Sequence, residues 1–177
     1  ESVSPVKQKI EPLMTDEKLT KSVNDKVGQT RTNIVYLNTD CNLRCTYCYE
    51  ADSKNGLEDQ AIVTPEMIDS FLEEISIREK GCASTIVIMG GEPFLKFDLI
   101  QYTISKAIQM VKDNKHTGWG ISLITNTTLF TEKRLDRLKY WIDLAEKHST
   151  SINLEASYDC SGQFKRMYPD GSTSLYI

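Results

Sequence analysis

The stretch that decides the fold is residues 85–112, TIVIMGGEPFLKFDLIQYTISKAIQMVK. Its first five residues are apolar and mostly β-branched, which is typical of a strand that is buried on both faces. A Gly-Gly-Glu-Pro turn follows, and from 98 to 112 apolar residues recur at helical spacing. A short strand and a longer helix joined by a turn predict one β/α unit of a parallel sheet.

The same alternation continues on both sides of this unit. Before it, a β-branched run predicts a strand at 33–37, and helical spacing predicts a helix at 65–79 that Thr64 caps and Gly81 ends. After it, the predicted elements are a strand at 120–125, a helix at 132–147 and a strand at 151–157. The helical spacing predicts inward faces that include Met67 in the first helix and Leu135 in the last. Strands and helices that alternate in this way predict right-handed crossovers and a parallel sheet.

Four β/α units amount to half of a β/α barrel, so the expected fold class is α/β with a partial, incomplete (β/α) barrel. The strands are too apolar to leave a face in water, and we expect the open edge to pair with a missing C-terminal half, with a partner or with a second copy. Residues 1–31 are polar and predict an N-terminal extension with at most a short helix at 16–27, whereas residues 32–177 predict the half-barrel domain.

Composition narrows the classes of function. The chain has 177 residues, of which 40% are hydrophobic and 26% charged, as expected for one globular domain. Its 21 Lys and Arg against 25 Asp and Glu give a net charge of -4 without a basic run, which argues against a nucleic-acid partner. We find no membrane span and no secretion signal, and therefore expect a cytoplasmic protein without a membrane partner.

The strongest chemical signal is CNLRCTYC at residues 41–48, in the loop that leaves the first predicted strand. Cys41, Cys45 and Cys48 are spaced so that a loop could turn all three sulfurs toward one iron-sulfur cluster. A four-iron cluster held by only three cysteines keeps one iron open for a ligand. The alternatives are a zinc site completed by another Cys or His, or three unrelated thiols. Cys82 and Cys160 have no helpful spacing and are expected in the core or in loops.

The second signal is the turn Gly90-Gly91-Glu92-Pro93, at the carboxyl end of the second predicted strand. This edge is where α/β folds place their sites. Two glycines allow the backbone to approach a ligand closely, and the carboxylate of Glu92 can accept hydrogen bonds from an ammonium group. A Gly-Gly turn alone is weak evidence, because most are simply turns, but this one shares its edge with the cysteine loop.

Together, CNLRCTYCYE (41–50) and MGGEPFL (89–95) resemble the radical S-adenosylmethionine superfamily, over about residues 34–171. They are most similar to the branch of anaerobic sulfatase-maturing and other peptide-modifying enzymes of SPASM type. The resemblance implies a [4Fe-4S] cluster on the three cysteines and S-adenosylmethionine as the second cofactor. It also implies that Tyr47 packs beside the adenine, and that Gly90, Gly91 and Glu92 bind the methionyl amino group.

Two further stretches resemble motifs of that family. Residues 157–160, SYDC, resemble S-L-D-G, which implies that Ser157 contacts the ribose or carboxylate of the cofactor, although Cys160 replaces the glycine. Residues 125–129, TNTTL, resemble T-N-G-T-L, in which Asn126 either faces the site or merely caps a turn. Lys165 and Arg166 are candidates for the cofactor carboxylate, but we expect both to be exposed loop cations. His116 and His148 are expected at polar surface positions and receive no role.

The chemistry that the resemblance implies is reductive cleavage of S-adenosylmethionine to methionine and a 5′-deoxyadenosyl radical, which abstracts a hydrogen atom from a peptide or protein side chain. An electron donor of flavodoxin or ferredoxin type is expected as a partner. No catalytic residue is assigned beyond the cluster and cofactor site. The alternative is a truncated or split protein that binds the cluster and cofactor without turnover and acts as a binding or regulatory partner.

Overall fold

The computed structural model describes residues 32–49, 63–157 and 166–172, so the expected N-terminal extension lies outside the described residues. Four parallel strands form one sheet in the order β1-β2-β3-β4, which confirms the predicted α/β fold. The strands are β1 (Thr32–Tyr36), β2 (Ser84–Met89), β3 (Trp119–Thr125) and β4 (Thr150–Ala156). Because neighbouring strands are parallel and consecutive, the carboxyl ends of all four lie along one edge.

The three described α-helices connect these strands and match the predicted helices to within one residue at each end: α1 (Pro65–Arg78), α2 (Phe97–Lys112) and α3 (Glu132–Glu146). The hydroxyls of Thr64 and Thr131 accept hydrogen bonds from the backbone N–H groups of Met67 and Arg134, which fixes the starts of α1 and α3. A 3-10 turn, Pro93–Lys96, precedes α2 and was not predicted. It forms because the Glu92 carboxylate accepts from the N–H of Phe94.

The core lies between the sheet and the helices. Ile86 and Ile88 of β2 and Ile121 and Leu123 of β3 are fully buried, because they alternate onto the face that the helices cover. Ile68, Leu72 and Ile75 pack there from α1, Ile100, Ile104 and Ala107 from α2, and Leu138 and Ala145 from α3. Met67 and Leu135, which helical spacing also predicted to face inward, are 52% and 44% exposed.

The opposite face of the sheet is open in the described part of the chain. Ile34 and Tyr36 of β1 are 57% and 36% exposed there, and most of β4 is exposed as well. The sheet therefore does not close, as the half-barrel prediction required. None of the described helices has both the length and the apolar character that a membrane crossing needs.

Candidate cofactor site

The cysteine loop is held at the carboxyl edge of the sheet by two buried leucines. Leu37 and Leu43 are each 1% exposed, and the N–H of Leu37 extends the pairing with β2 by donating to the carbonyl of Met89 at 2.9 Å. The guanidinium of Arg44 donates to the carbonyls of Cys41 and Leu43 at 2.8 and 2.9 Å. These bonds turn the loop back on itself, so that it can present thiols without regular secondary structure.

Gly90 and Gly91 bring the end of β2 against the strand-like segment that leads to the cysteines. The N–H of Gly91 donates to the carbonyl of Asn38 at 2.8 Å, and that of Glu92 donates to the carbonyl of Asp40 at 2.7 Å. A Cβ on Gly91 would lie 2.2 Å from the Asp40 carbonyl oxygen, so no larger residue fits. The two glycines therefore allow the end of β2 to approach the backbone of the cysteine loop closely.

Glu92 is 1% exposed, and three donors hold its carboxylate. One oxygen accepts from the N–H of Phe94 at 3.0 Å and from the hydroxyl of Thr125 at 2.8 Å, and the other accepts from the N–H of Asn126 at 2.7 Å. The side chain thus ties the end of β2 to the end of β3. Because a carboxylate offers about four acceptor positions, the second oxygen has room for one more donor.

All of the predicted site residues line one cavity at this edge. The three cysteines form no disulfide and are partly exposed, and they share the cavity with the glycine turn, Glu92 and the end of β3. The predicted site residues that line it are Cys41, Cys45, Tyr47, Cys48, Gly90, Gly91, Glu92, Asn126 and Ser157. The structure brings them together, whereas their individual roles toward a cofactor stay predictions.

Arg166 also lines this cavity, which corrects the expectation of an exposed loop cation. It is 7% exposed, and the next residue, Met167, contacts the cysteine loop, because its carbonyl accepts a hydrogen bond from the N–H of Arg44. Lys165, Cys160 and the rest of the SYDC stretch after Ser157 lie outside the described residues. Nothing in local sequence marks Arg166 as buried, because its burial depends on the contact between two loops that are distant in the chain.

Thr127 stands where the family motif T-N-G-T-L has glycine, and it keeps the backbone conformation that glycine would supply. Its φ is +63°, in the left-handed region that β-branched residues rarely adopt. The N–H of Thr127 donates to the hydroxyl of Thr125 at 3.0 Å, and the N–H of Thr128 donates to the Asn126 side-chain oxygen at 3.0 Å. Asn126 therefore caps this turn and also lines the cavity, so capping the turn does not prevent its side chain from facing the site.

His116 is far from this site and is not at a polar surface position, contrary to expectation. It is 8% exposed and stacks on Trp119 with ring centroids 3.8 Å apart, at the amino edge of the sheet. Burial lowers its pKa below the ordinary value of 6.5, although the nearby Glu79 carboxylate opposes this shift. The imidazole belongs to a buried polar cluster with Ser84 and Glu79.

The donor set fits an iron-sulfur cluster better than a single metal ion. Zinc needs about four donors within roughly 2.3 Å of one point. Within residues 32–49, 63–157 and 166–172, no three His, Cys, Asp or Glu side chains converge in that way. Three thiols along the wall of one cavity suit a larger group with several metal atoms.

Sequence comparison finds relatives that align with most of this chain. A 151-residue stretch is 28% identical to a GTP 3′,8-cyclase of Listeria monocytogenes, covering 84% of this chain and 40% of that protein. A GTP 3′,8-cyclase of Mycobacterium marinum is also 28% identical, over 125 residues that cover 70% of this chain and 34% of the relative. The chain thus spans two fifths or less of the length of these relatives.

A solved structure and a family profile complete the comparison. A structure of histidine-tagged anSMEcpe with bound AdoMet has the same fold, with a TM-score of 0.61 and 21% identity over 81% of this chain and 36% of that one. The profile of the Radical SAM superfamily matches residues 35–161, from the middle of β1 past the end of β4. That range contains the three cysteines, the glycine turn and Asn126, and the chain therefore belongs to the Radical SAM superfamily, whose cofactors are a [4Fe-4S] cluster and S-adenosylmethionine.

Proposed function

We propose that this chain binds a [4Fe-4S] cluster through Cys41, Cys45 and Cys48, binds S-adenosylmethionine beside it, and serves to cleave that cofactor reductively to a 5′-deoxyadenosyl radical. The radical would abstract a hydrogen atom from a peptide or protein side chain. Family membership, the shared cavity and three cysteines that form no disulfide support the cluster and cofactor sites. The similarity of the cysteine and GGE motifs to the peptide-modifying branch supports the substrate class.

The observation that carries the proposal is the charge arrangement of the cavity. The cavity is lined by Glu92, whose buried carboxylate forms no ion pair with a described cation, and by the buried Arg166. A zwitterionic amino acid, with an ammonium and a carboxylate on one carbon, complements this pair. S-adenosylmethionine carries such a group, and the three thiols lie in the same cavity.

The residues of the chain then have separable tasks. When bound, a [4Fe-4S] cluster with three thiolate ligands supplies an iron without a protein ligand and the electron for cleavage of the sulfonium. Glu92 accepts from the ammonium through its less occupied oxygen, and Arg166 donates to the carboxylate. Tyr47, which is 39% exposed, covers the adenine, and Ser157 contacts the ribose or carboxylate. Leu43, which is 1% exposed, keeps water from one side of the cavity.

The experiment is anaerobic reconstitution with iron and sulfide, followed by S-adenosylmethionine and dithionite, with 5′-deoxyadenosine and the spin-resonance spectrum as readouts. Cys45→Ala should lose the cluster, whereas Cys82→Ala, which removes a free thiol outside the cavity, should retain it. Full iron content in Cys45→Ala would contradict the ligand assignment. If S-adenosylmethionine perturbs the spectrum but no 5′-deoxyadenosine forms, the chain binds the cofactor without turning it over, as the alternative function requires.

The charge arrangement has its own test. Arg166→Gln should weaken binding of S-adenosylmethionine to the reconstituted protein at least about tenfold, since a charge-assisted hydrogen bond contributes roughly 1.5–3 kcal/mol. Arg137→Gln is the matched control, because Arg137 is an exposed cation of α3 away from the cavity. Equal affinities for the two variants would remove Arg166 from the cofactor site.

A second candidate substrate is a guanosine nucleotide. It is favoured by the two GTP 3′,8-cyclases, which are similar to this chain over 84% and 70% of its length. Reactions with GTP and with a cysteine- or serine-containing peptide, each monitored for 5′-deoxyadenosine above the uncoupled level, distinguish the two classes. For either substrate we propose a flavodoxin- or ferredoxin-like electron donor. We also propose that the open sheet edge pairs with a partner or a second copy.

A further inference from the structure

Asn126, Asn42 and Thr128 form a closed ring of side-chain hydrogen bonds between the cysteine loop and the end of β3. The Thr128 hydroxyl donates to the Asn126 oxygen at 2.6 Å, the Asn126 amide donates to the Asn42 oxygen at 3.0 Å, and the Asn42 amide donates to the Thr128 hydroxyl at 2.8 Å. Each member donates once and accepts once around the ring, so the bonds polarise one another in the same direction.

The ring fixes which end of the Asn126 side chain faces the cysteines. The backbone N–H of Thr128 can only donate, and it points at one atom of the Asn126 amide at 3.0 Å, so that atom is the oxygen. The NH2 group therefore occupies the other position. One of its hydrogens goes to Asn42, and the other is directed at the sulfur of Cys41 at 3.8 Å.

Cys41 differs in this respect from the other two thiols. Its sulfur accepts from the Asn126 amide and also from the backbone N–H of Leu43 at 3.3 Å. In the part of the chain that the structure describes, no hydrogen-bond donor is directed at the sulfur of Cys45 or Cys48. Asn126 is 7% exposed, so its bond to Cys41 is largely shielded from water.

We propose that Asn126 is a positioning residue that donates an N–H···S hydrogen bond to the Cys41 thiolate and thereby raises the reduction potential of the cluster. This inference rests on the proposed function, because it requires Cys41 to be a cluster ligand. Reduction adds negative charge that is shared by the ligand sulfurs, and a hydrogen-bond donor stabilises the reduced form more than the oxidised form. Asn42 and Thr128 act through Asn126 by holding its amide in this orientation.

The test is the midpoint potential of the reconstituted cluster, measured by redox titration with spin-resonance detection. Asn126→Ala removes the donor and leaves the three cysteines in place. We expect full iron and sulfide content and a more negative potential, so that the ratio of reduced to oxidised cluster at a fixed potential falls about tenfold, which is 59 mV for one electron. Asn153→Ala, an exposed asparagine of β4 outside the ring, should leave the potential unchanged.

Thr128→Val keeps the Asn126 side chain but opens the ring, so the potential should again become more negative. The ratio of reduced to oxidised cluster at a fixed potential should then fall about threefold. If Asn126→Ala fails to hold iron, the potential of Thr128→Val decides the question. An unchanged potential in a variant with full iron content would overturn this proposal while leaving the proposed function intact. A wild-type protein that assembles no iron-sulfur cluster would instead overturn the proposed function.

Discussion

The two edges of the sheet each bury a glutamate, and the two carboxylates are satisfied in different ways. At the amino edge, Glu79 is 7% exposed, and within the described residues its carboxylate accepts from three side chains: the Ser84 hydroxyl, the Asn33 amide at 3.3 Å and the Arg78 guanidinium at 3.4 Å. At the carboxyl edge, Glu92 is 1% exposed and accepts from two backbone N–H groups and the Thr125 hydroxyl.

This difference distinguishes the structural polar cluster around Glu79 from the candidate cofactor site around Glu92. The charge of Glu79 is paired with Arg78 inside the protein, and its neighbours Ser84 and His116 bond to each other. The charge of Glu92 is stabilised by backbone dipoles and a hydroxyl, so negative potential remains at the wall of the cavity. A buried carboxylate without a cationic partner is expected where a protein binds a cation from outside.

The largest loss of stability is expected where the backbone of Gly91 lies against the cysteine loop at the carboxyl edge. In Gly91→Ala the new Cβ would meet two backbone carbonyl oxygens, those of Asp40 and Thr39 at 2.2 and 2.5 Å, and no side-chain rotation can relieve this. We expect a loss of at least about 3 kcal/mol in the free energy of unfolding, measured by chemical denaturation. Gly81→Ala at the amino edge is the control, because its Cβ would enter open space and only the positive φ would cost, about 1 kcal/mol.

The two glutamates should respond differently to the same isosteric change. In Glu92→Gln, either orientation of the amide places an NH2 group against a backbone N–H, that of Phe94 or that of Asn126, and backbone donors cannot reverse. In Glu79→Gln, the amide can donate to Ser84, whose hydroxyl can rotate. We expect destabilisation of about 3 kcal/mol for Glu92→Gln and about 1 kcal/mol for Glu79→Gln. Equal losses in urea denaturation would contradict the distinction between the two edges.

The amino edge should carry a pH dependence that involves His116. The N–H of Gly118 donates to its Nδ1, so Nε2 carries the proton and donates to the Ser84 hydroxyl at 3.1 Å. Burial lowers the pKa of His116 from 6.5 against the opposing effect of Glu79, which is itself paired with Arg78. The unfolded chain then binds more protons than the folded one, so stability should fall as the pH drops below 6.5.

His116→Gln tests this expectation through the change of the unfolding free energy with pH, and not through its value at any one pH. Unfolding free energies of the wild-type protein and the variant, measured between pH 7.5 and pH 5, should differ by an amount that shrinks as the pH falls. A difference that stays constant across this range would show that the pKa of His116 is the same in the folded and unfolded states.

The smallest effect is expected from the strained turn at the carboxyl edge. Thr127 has a φ of +63°, so Thr127→Gly should stabilise the protein by about 1 kcal/mol, the relief of a left-handed backbone less the entropy that glycine adds to the unfolded chain. Ser149 has a φ of +48° at the amino edge and is not β-branched, so Ser149→Gly should gain less. A gain for Ser149→Gly as large as that for Thr127→Gly would show that β-branching adds no strain here.

Much of the fold followed from short-range patterns. The four apolar runs at 33–37, 85–89, 120–125 and 151–157 predicted the four described strands, and helical spacing predicted α1, α2 and α3, because hydrophobic periodicity and helix capping act within a few residues. The 3-10 turn at Pro93–Lys96 was missed because four residues capped by one carboxylate leave no periodic pattern in the sequence. Met67 and Leu135 were misplaced because helical spacing defines a face but not how far neighbouring elements extend over it.

The sequence by itself determined the class of the protein: the alternation of strands and helices, the three cysteines in one loop and the glycine turn at the end of β2 all act locally. Only the tertiary structure decided that Arg166 is buried in the cavity, that Glu92 is held by the end of β3, and that Asn126 donates to Cys41. Asn126 lies 85 positions from that cysteine. Such a contact depends on parallel strands that carry their carboxyl ends to one edge, which no local pattern of residues specifies.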